Sequence, residues 1–248
     1  MGVPEKTVFE VYRYLPDSEA EPRFQSYEVG YRDNWVVLDA LNHIKASIDP
    51  SLSFRWSCRM GVCGSCGMMV NGEPKLTCET FIRDYHTDKV KIEPLTHFPV
   101  VRDLVVNMED FMEKLPTVSP WLIPAGEPGP GEYRQTPAEV AHYKRFSMCI
   151  NCMLCYSACP VYGLDPSFTG PAVLALAERY NLDSRDDGKK QRAGTVTAHE
   201  GIWECTYVGE CTQVCPKGVD PAGAIQMLKL SYALDWAKSF VMPKAAKS

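Results

Sequence analysis

Eleven cysteines carry the chemistry open to this 248-residue sequence. Ten of them lie within six residues of another cysteine, a clustering that core packing of small hydrophobes does not produce. An odd count cannot pair completely into disulfides, so metal ligation is the better use of these thiols. Cys58, Cys63, Cys66 and Cys78 are spaced C-x4-C-x2-C with a distant fourth, the arrangement of plant-type 2Fe-2S ligation. A loop around such a negatively charged cluster must bend tightly and aim backbone N–H groups at the sulfurs, a conformation expected of Gly61, Gly64 and Gly67. Zinc is the alternative, but it more often takes paired C-x2-C knuckles. Arg59, beside the first ligand, is either a charge that raises the cluster potential or a solvated surface arginine.

Cys149, Cys152, Cys155 and Cys159-Pro160 form C-x2-C-x2-C-x3-C-P, a run whose fourth cysteine ligates the other cluster of a pair. Cys205, Val208, Cys211 and Cys215-Pro216 repeat that run with one cysteine replaced by valine. Crossing the ligands assigns Cys149, Cys152, Cys155 and Cys215 to a 4Fe-4S cluster. Cys159, Cys205 and Cys211 remain, with no thiolate at the fourth corner, and imply a 3Fe-4S cluster. The alternative is a fourth iron held by water or a nearby group. Three unlike clusters make a graded relay of single electrons between two-electron centres at its ends. Neither end is read in this sequence: Gly126, Gly129 and Gly131 alternate with prolines and form no flavin fingerprint. His43, His86, His97, His142 and His199 are scattered, and no acid-base constellation for a dicarboxylate is readable.

The elements that position these cysteines fall into two regions. Thr7–Tyr14 and Phe24–Tyr31 are rich in branched and aromatic residues and predict a hairpin across the acidic run Asp17–Glu21. Leu38, Leu41, Ile44 and Ile48 recur at helical spacing after a capping candidate at Asp33 or Asn34, and Pro50 ends the run. Met68–Val70, the turn pair Asn71-Gly72, Lys75–Cys78 and Val90–Ile92 predict further strands. Beyond Arg102 the pattern predicts a helical face of Leu104, Met108, Phe111, Met112 and Leu115. Helices are also predicted after Thr136-Pro137-Ala138-Glu139, Gly170-Pro171 and Asp220-Pro221, the first running toward Phe146 and the last to about Trp236. The expected fold is α+β: a β-grasp domain over 1–104 and an all-α domain over 105–248. A net charge of -5 offers no field for a phosphate backbone, which excludes nucleic acid as a partner. No apolar stretch is long enough to span a bilayer and Met1–Glu10 lacks a signal-peptide pattern, so a soluble cytosolic chain is expected.

The chain resembles the iron-sulfur subunits of the succinate dehydrogenase and fumarate reductase family over nearly its whole length. The resemblance rests on Arg55-Trp56-Ser57-Cys58-Arg59-Met60, Cys63–Val70, Cys149-Ile150-Asn151-Cys152, Asp183-Ser184-Arg185-Asp186 and Cys215–Pro221. It implies a β-grasp 2Fe-2S ferredoxin domain followed by a helical ferredoxin domain, with the 2Fe-2S cluster facing a flavoprotein subunit that holds FAD. It further implies a 3Fe-4S cluster facing a quinone at one or two membrane anchor subunits, on the cytoplasmic face of a bacterial inner membrane. The chain would then be an electron-carrying subunit of an oxidoreductase, itself binding no dicarboxylate. Ubiquinone-reducing members have a tryptophan after the first Cys-Pro and a histidine after the first cysteine of the second run; here Val161 follows Pro160 and Thr206 follows Cys205. With Gln226 and Lys229, Pro160 and Thr206 are similar to the quinone sites of menaquinol-oxidising fumarate reductases. Lys229 would hydrogen-bond a quinone oxygen, the alternative being a solvated helix lysine. Succinate oxidation is the reverse reading of the same relay, and a free ferredoxin-type carrier or a zinc protein are readings from other classes. From Lys217 onward the five lysines Lys217, Lys229, Lys238, Lys244 and Lys247 meet only Asp220 and Asp235, a pattern that suits either anionic lipid or a solvated terminus.

Overall fold

The computed structural model describes residues 5–16, 21–85, 89–126 and 131–241. Most of the acidic run after Pro16, His86, Gly129, Lys244 and Lys247 lie outside these residues. Two compact units are interleaved in sequence. The first comprises Met1–Asp110, Ile150–Ala158 and Val214–Lys217, and the second Phe111–Cys149, Cys159–Gln213 and Gly218–Ser248.

In the first unit β1 (Lys6–Arg13) and β2 (Arg23–Gly30) form the expected hairpin, with Lys6 opposite Gly30. Helix α1 (Val37–Ser47) follows, then β3 (Gly67–Val70), β4 (Glu73–Leu76) and β5 (Lys89–Glu93). The strands order as β2-β1-β5-β3-β4, with β1 and β5 parallel, which is the β-grasp arrangement. A parallel pair needs a long crossover, and α1 with the first cysteine loop lies within it. Alternate residues of β1 point inward, so Phe9 and Val11 meet Val37, Leu41 and Ile44 of α1 and Val90 and Ile92 of β5. Asn71 and Gly72 both adopt positive φ, 50° and 83°, as a two-residue turn between twisted strands requires.

Three expectations change here. The cap of α1 is Val36, not Asp33 or Asn34: its N–H donates to the Asp39 carboxylate at 3.2 Å, so the acid one turn inside closes the end. Ile48 is the C-cap and stands exposed instead of extending the buried face. Leu104 is not helical either. It lies between β6 (Val100–Arg102) and β7 (Val105–Val106), where branched residues pair as a small antiparallel hairpin, and α2 is confined to Glu109–Lys114.

The second unit is helical. Thr136 caps α3 (Pro137–Tyr143) as predicted, its N–H donating to Glu139 Oε2 at 2.7 Å and its Oγ1 accepting from the Glu139 N–H. The helix stops at Tyr143, and a 3-10 turn covers Phe146–Met148. Helix α4 (Leu154–Ser157) belongs to the first unit; α5 (Pro160–Leu164), α6 (Pro171–Asn181), α7 (Lys189–Val196), α8 (Glu210–Gln213) and α9 (Pro221–Val241) belong to the second. Helix α6 packs along α9, burying Val173, Leu174, Ala177, Ile225 and Leu228. Asp220 caps α9 by accepting the Gly223 N–H at 2.9 Å.

The Asp183-Ser184-Arg185-Asp186 segment proves to be a scaffold of three ion pairs on two carboxylates. Asp186 and Arg192 are wholly buried and bonded twice, at 2.6 and 2.8 Å. Arg192 also donates to the carbonyls of Val118 and Trp121, and Asp186 accepts the Ile123 N–H, so the pair fastens the irregular segment 118–123. Asp183 accepts from Arg185, Arg179 and Gln135. The Arg185 guanidinium is the main cause that pulls its carboxyl down to about 2.

Candidate iron-sulfur centres

The first set gathers on the loop between α1 and β3, with Cys78 just beyond β4. Backbone amides turn toward the sulfurs: Met60 and Val62 N–H each donate to Cys58 Sγ at 3.4 Å, and Gly61 N–H to Cys78 Sγ at 3.3 Å. Cys58 N–H reaches Cys63 Sγ at 3.5 Å. Cys78 lies within hydrogen-bonding reach of Cys66 and interacts electrostatically with Cys58, so all four thiols form one group. The Met60 and Val62 amides pull the Cys58 thiol down to about 6, while burial, then Cys66, pushes Cys78 up to about 12. The donor set fits a cluster that binds thiolates: one sulfur is already stabilised as the anion, and another releases its proton only when metal displaces it.

The glycines divide the work unevenly. Gly61 and Gly64 have φ of 65° and 73°, a conformation that favours glycine. Gly67, at the start of β3, is not in that region, which corrects the expectation that all three serve the bend. Arg59 also has positive φ, 57°, and its guanidinium lies 4.4 Å from the Trp56 ring centroid at the surface. Sequence spacing could locate the ligands but not the Met60 and Val62 donors, whose contribution depends only on backbone direction.

The two later runs repeat in backbone as well as in sequence. A 3-10 turn precedes each, Phe146–Met148 and Ile202–Glu204. Positive φ then falls at Asn151 and Met153 in one and at Tyr207 and Gly209 in the other, and α4 and α8 follow at the same offset. In this register Val208 occupies the place of Cys152. Cys149 closes the first 3-10 turn in the second unit, whereas Cys152, Cys155 and Cys215 lie on segments of the first unit.

Cys159, Cys205 and Cys211 lie together in the second unit. Cys159 caps α5, its sulfur accepting the Tyr162 N–H at 3.5 Å. Cys211 sits in α8, where burial, then Cys159 and Cys205, pushes its thiol up to about 12. One cavity is lined by Cys159, Pro160, Cys205, Thr206, Val208 and Cys211. Cys159, Cys205 and Cys211 thus line a common space with Val208, which stands where the first run has cysteine, so three thiols and no fourth border it. Of the four residues expected to meet a quinone, Pro160 and Thr206 line this cavity. Gln226 and Lys229 do not; they lie on α9, whose Ala222 and Ile225 line it. Lys229 Nζ donates to the Cys205 carbonyl at 2.7 Å, and Gln226 Nε2 is buried without a hydrogen-bond partner among the described residues. The exposed apolar residues Tyr207, Val208, Met227, Leu230, Leu234 and Trp236 lie on this loop and helix. Among the described residues no helix is long and apolar enough to cross a membrane, and no three His, Cys, Asp or Glu side chains converge as the ligands of a single ion do.

Residues 8–113 match a 2Fe-2S iron-sulfur cluster binding domain, and residues 145–219 a 4Fe-4S dicluster domain. The fumarate reductase iron-sulfur subunit of Mycobacterium tuberculosis is 58% identical over 96% of this chain and 98% of its own length. That of Haemophilus influenzae is 50% identical over 95% of this chain and 96% of its own. The mitochondrial succinate dehydrogenase [ubiquinone] iron-sulfur subunit of Dictyostelium discoideum is 39% identical over 89% of this chain and 80% of its own. Among solved structures, a chain of the Mycobacterium smegmatis Sdh1 complex in the apo form superposes with a TM-score of 0.84 at 28% identity, covering 98% of this chain and all of that one. A β-grasp unit that gathers four thiols, a helical unit with a duplicated cysteine loop and these full-length relatives together make the chain a member of the family of fumarate reductase and succinate dehydrogenase iron-sulfur subunits.

Proposed function

We propose that the chain relays single electrons between a quinone at membrane anchor subunits and FAD in a flavoprotein subunit, as part of a membrane-bound quinol:fumarate reductase. In this reading Cys58, Cys63, Cys66 and Cys78 hold a 2Fe-2S cluster, Cys149, Cys152, Cys155 and Cys215 a 4Fe-4S cluster, and Cys159, Cys205 and Cys211 a 3Fe-4S cluster. The clusters supply one-electron redox steps when bound; the chain supplies thiolates, amide donors and spacing. The β-grasp domain, 1–104 on the sequence reading, faces the flavoprotein, and the helical domain, 105–248, faces the anchor on the cytoplasmic side of the membrane. The observation that carries the proposal is the three-thiol cavity with Val208 at the repeat position of a cysteine, bordered by exposed apolar residues of the same loop and of α9.

At the quinone, Pro160 and Thr206 border the space beside the third cluster, and Gln226 and Lys229 supply polar groups one helical turn apart. The buried, unpartnered Gln226 Nε2 supports a ligand on this side of α9, since a buried donor without a partner costs free energy. Lys229 holds the Cys205 carbonyl with one N–H and has two further N–H groups for a quinone oxygen. Menaquinone is the favoured quinone, because the tryptophan and histidine of ubiquinone-reducing members are absent. The test is the purified complex with Lys229→Leu: menaquinol-driven fumarate reduction should fall while all three cluster signals persist. Unchanged quinol kinetics sink the assignment of Lys229, and a diamagnetic oxidised third cluster sinks the 3Fe-4S reading. Similarity to succinate dehydrogenase subunits favours a second reading, the same relay run from succinate to quinone. Comparing the two rates in one preparation decides between them.

A further inference from the structure

Gly64 and Gly67 flank Cys66 on the first cysteine loop, and within the first unit both abut the backbone of the loop that carries Cys152. A methyl group at Gly64 would stand 2.8 Å from the Ile150 carbonyl oxygen and 3.0 Å from both Cα and Cβ of Cys152. At Gly67 it would stand 3.2 Å from the Cys152 carbonyl oxygen and 3.0 Å from Leu154 Cδ2. Cys63 and Cys152 line one cavity together with these two glycines. Backbone conformation alone does not account for the pair. Gly64 has positive φ, but Gly67 begins β3 without it. Gly72 is the contrasting case, with φ of 83° and nothing within 4 Å of its missing Cβ.

We infer that Gly64 and Gly67 are positioning residues for electron transfer between the first and second clusters, their absent side chains letting the two ligand loops meet backbone to backbone. The inference rests on the ligand sets proposed above. The step moves one electron from one cluster to the next; no bond forms or breaks and no proton moves. Tunnelling falls exponentially with separation, so displacing one loop by a fraction of an ångström changes a rate while leaving each ligand set complete.

The experiment compares the assembled complex carrying Gly64→Ala, Gly67→Ala or both with wild type and with Gly72→Ala. Paramagnetic resonance reads the magnetic interaction between the two reduced clusters, and pulse reduction reads the rate at which an electron redistributes between them. Gly64→Ala should weaken the interaction and slow redistribution severalfold, Gly67→Ala less and the double variant more, each at wild-type cluster content, with Gly72→Ala unchanged. If Gly64→Ala does not accumulate, Gly67→Ala and Gly67→Ser decide. Wild-type interaction and rate in the Gly67 variants, or an equal loss in Gly72→Ala, overturns the inference. A wild-type complex lacking either signal instead overturns the ligand assignments on which it stands.

Discussion

Glu178 on α6 is a buried carboxyl, 3% exposed, and the Lys189 ammonium only partly offsets its lost hydration. Burial pushes it from an ordinary 4.5 up to about 8. The folded chain therefore binds this proton over a pH range in which the unfolded chain has released it, and stability falls as pH rises through that window. At 1.36 kcal/mol per unit, the stability lost relative to acid pH is about 3 kcal/mol at neutral pH, where the folded chain keeps the carboxyl protonated, and about 5 kcal/mol above the folded value, where it holds the carboxyl ionised. Glu178→Gln keeps the shape and removes the titration. Thermal unfolding of the assembled complex, followed from about pH 5 to about pH 9, should show the wild type losing midpoint with rising pH and the variant losing less. An infrared band of the protonated carboxyl, absent from the variant, should titrate near 8. Parallel midpoints for the two proteins, or a band that disappears in the ordinary carboxylate range, would refute the reasoning.

Asp186→Ala strands the buried Arg192 guanidinium and should destabilise by about 3 to 5 kcal/mol, read as a lowered unfolding midpoint; a change within error means the pair contributes nothing. Val208→Cys restores the thiolate missing from the second run, so the paramagnetic signal of the oxidised third cluster should vanish as a fourth iron enters; an unaltered signal counts against the register of the repeat. After iron is stripped, Cys58, a thiolate above about 6, should alkylate at neutral pH well before Cys78 or Cys211, both protonated until about 12. Mass spectrometry of the labelled peptides gives the order, and equal rates would show that the Met60 and Val62 amides do not act on that sulfur.

What the sequence disclosed depended on how local its cause was. Asn71-Gly72 and Thr136-Pro137-Ala138-Glu139 specify a turn and a cap within four residues, and both were legible. Helices α4, α5 and α8 span only four or five residues, too short for a hydrophobic period, and their presence follows from the cysteine loops they adjoin. The helical periodicity expected from Leu104 to Leu115 holds only from Glu109, where α2 buries Phe111; Val100, Leu104 and Val106 fit a hairpin as readily, and only pairing across the chain selects it. Likewise Pro160 and Thr206 were found beside the third cysteine set because both neighbour ligands in sequence. The Lys229 bond to the Cys205 carbonyl spans distant segments and leaves no mark in spacing.

The interleaving of the two units bears on how the protein is made. Segments Ile150–Ala158 and Val214–Lys217 belong to the packing of the first unit, so that unit is incomplete on a nascent chain ending at Asp110. Translation adds about 5 to 20 residues each second, leaving the amino-terminal half waiting several seconds for its last pieces to leave the ribosome. A truncation after Gln213, which removes Val214–Lys217 from the first unit, should therefore impair iron uptake by a cysteine loop more than a hundred residues upstream, read as the iron content of the purified chain.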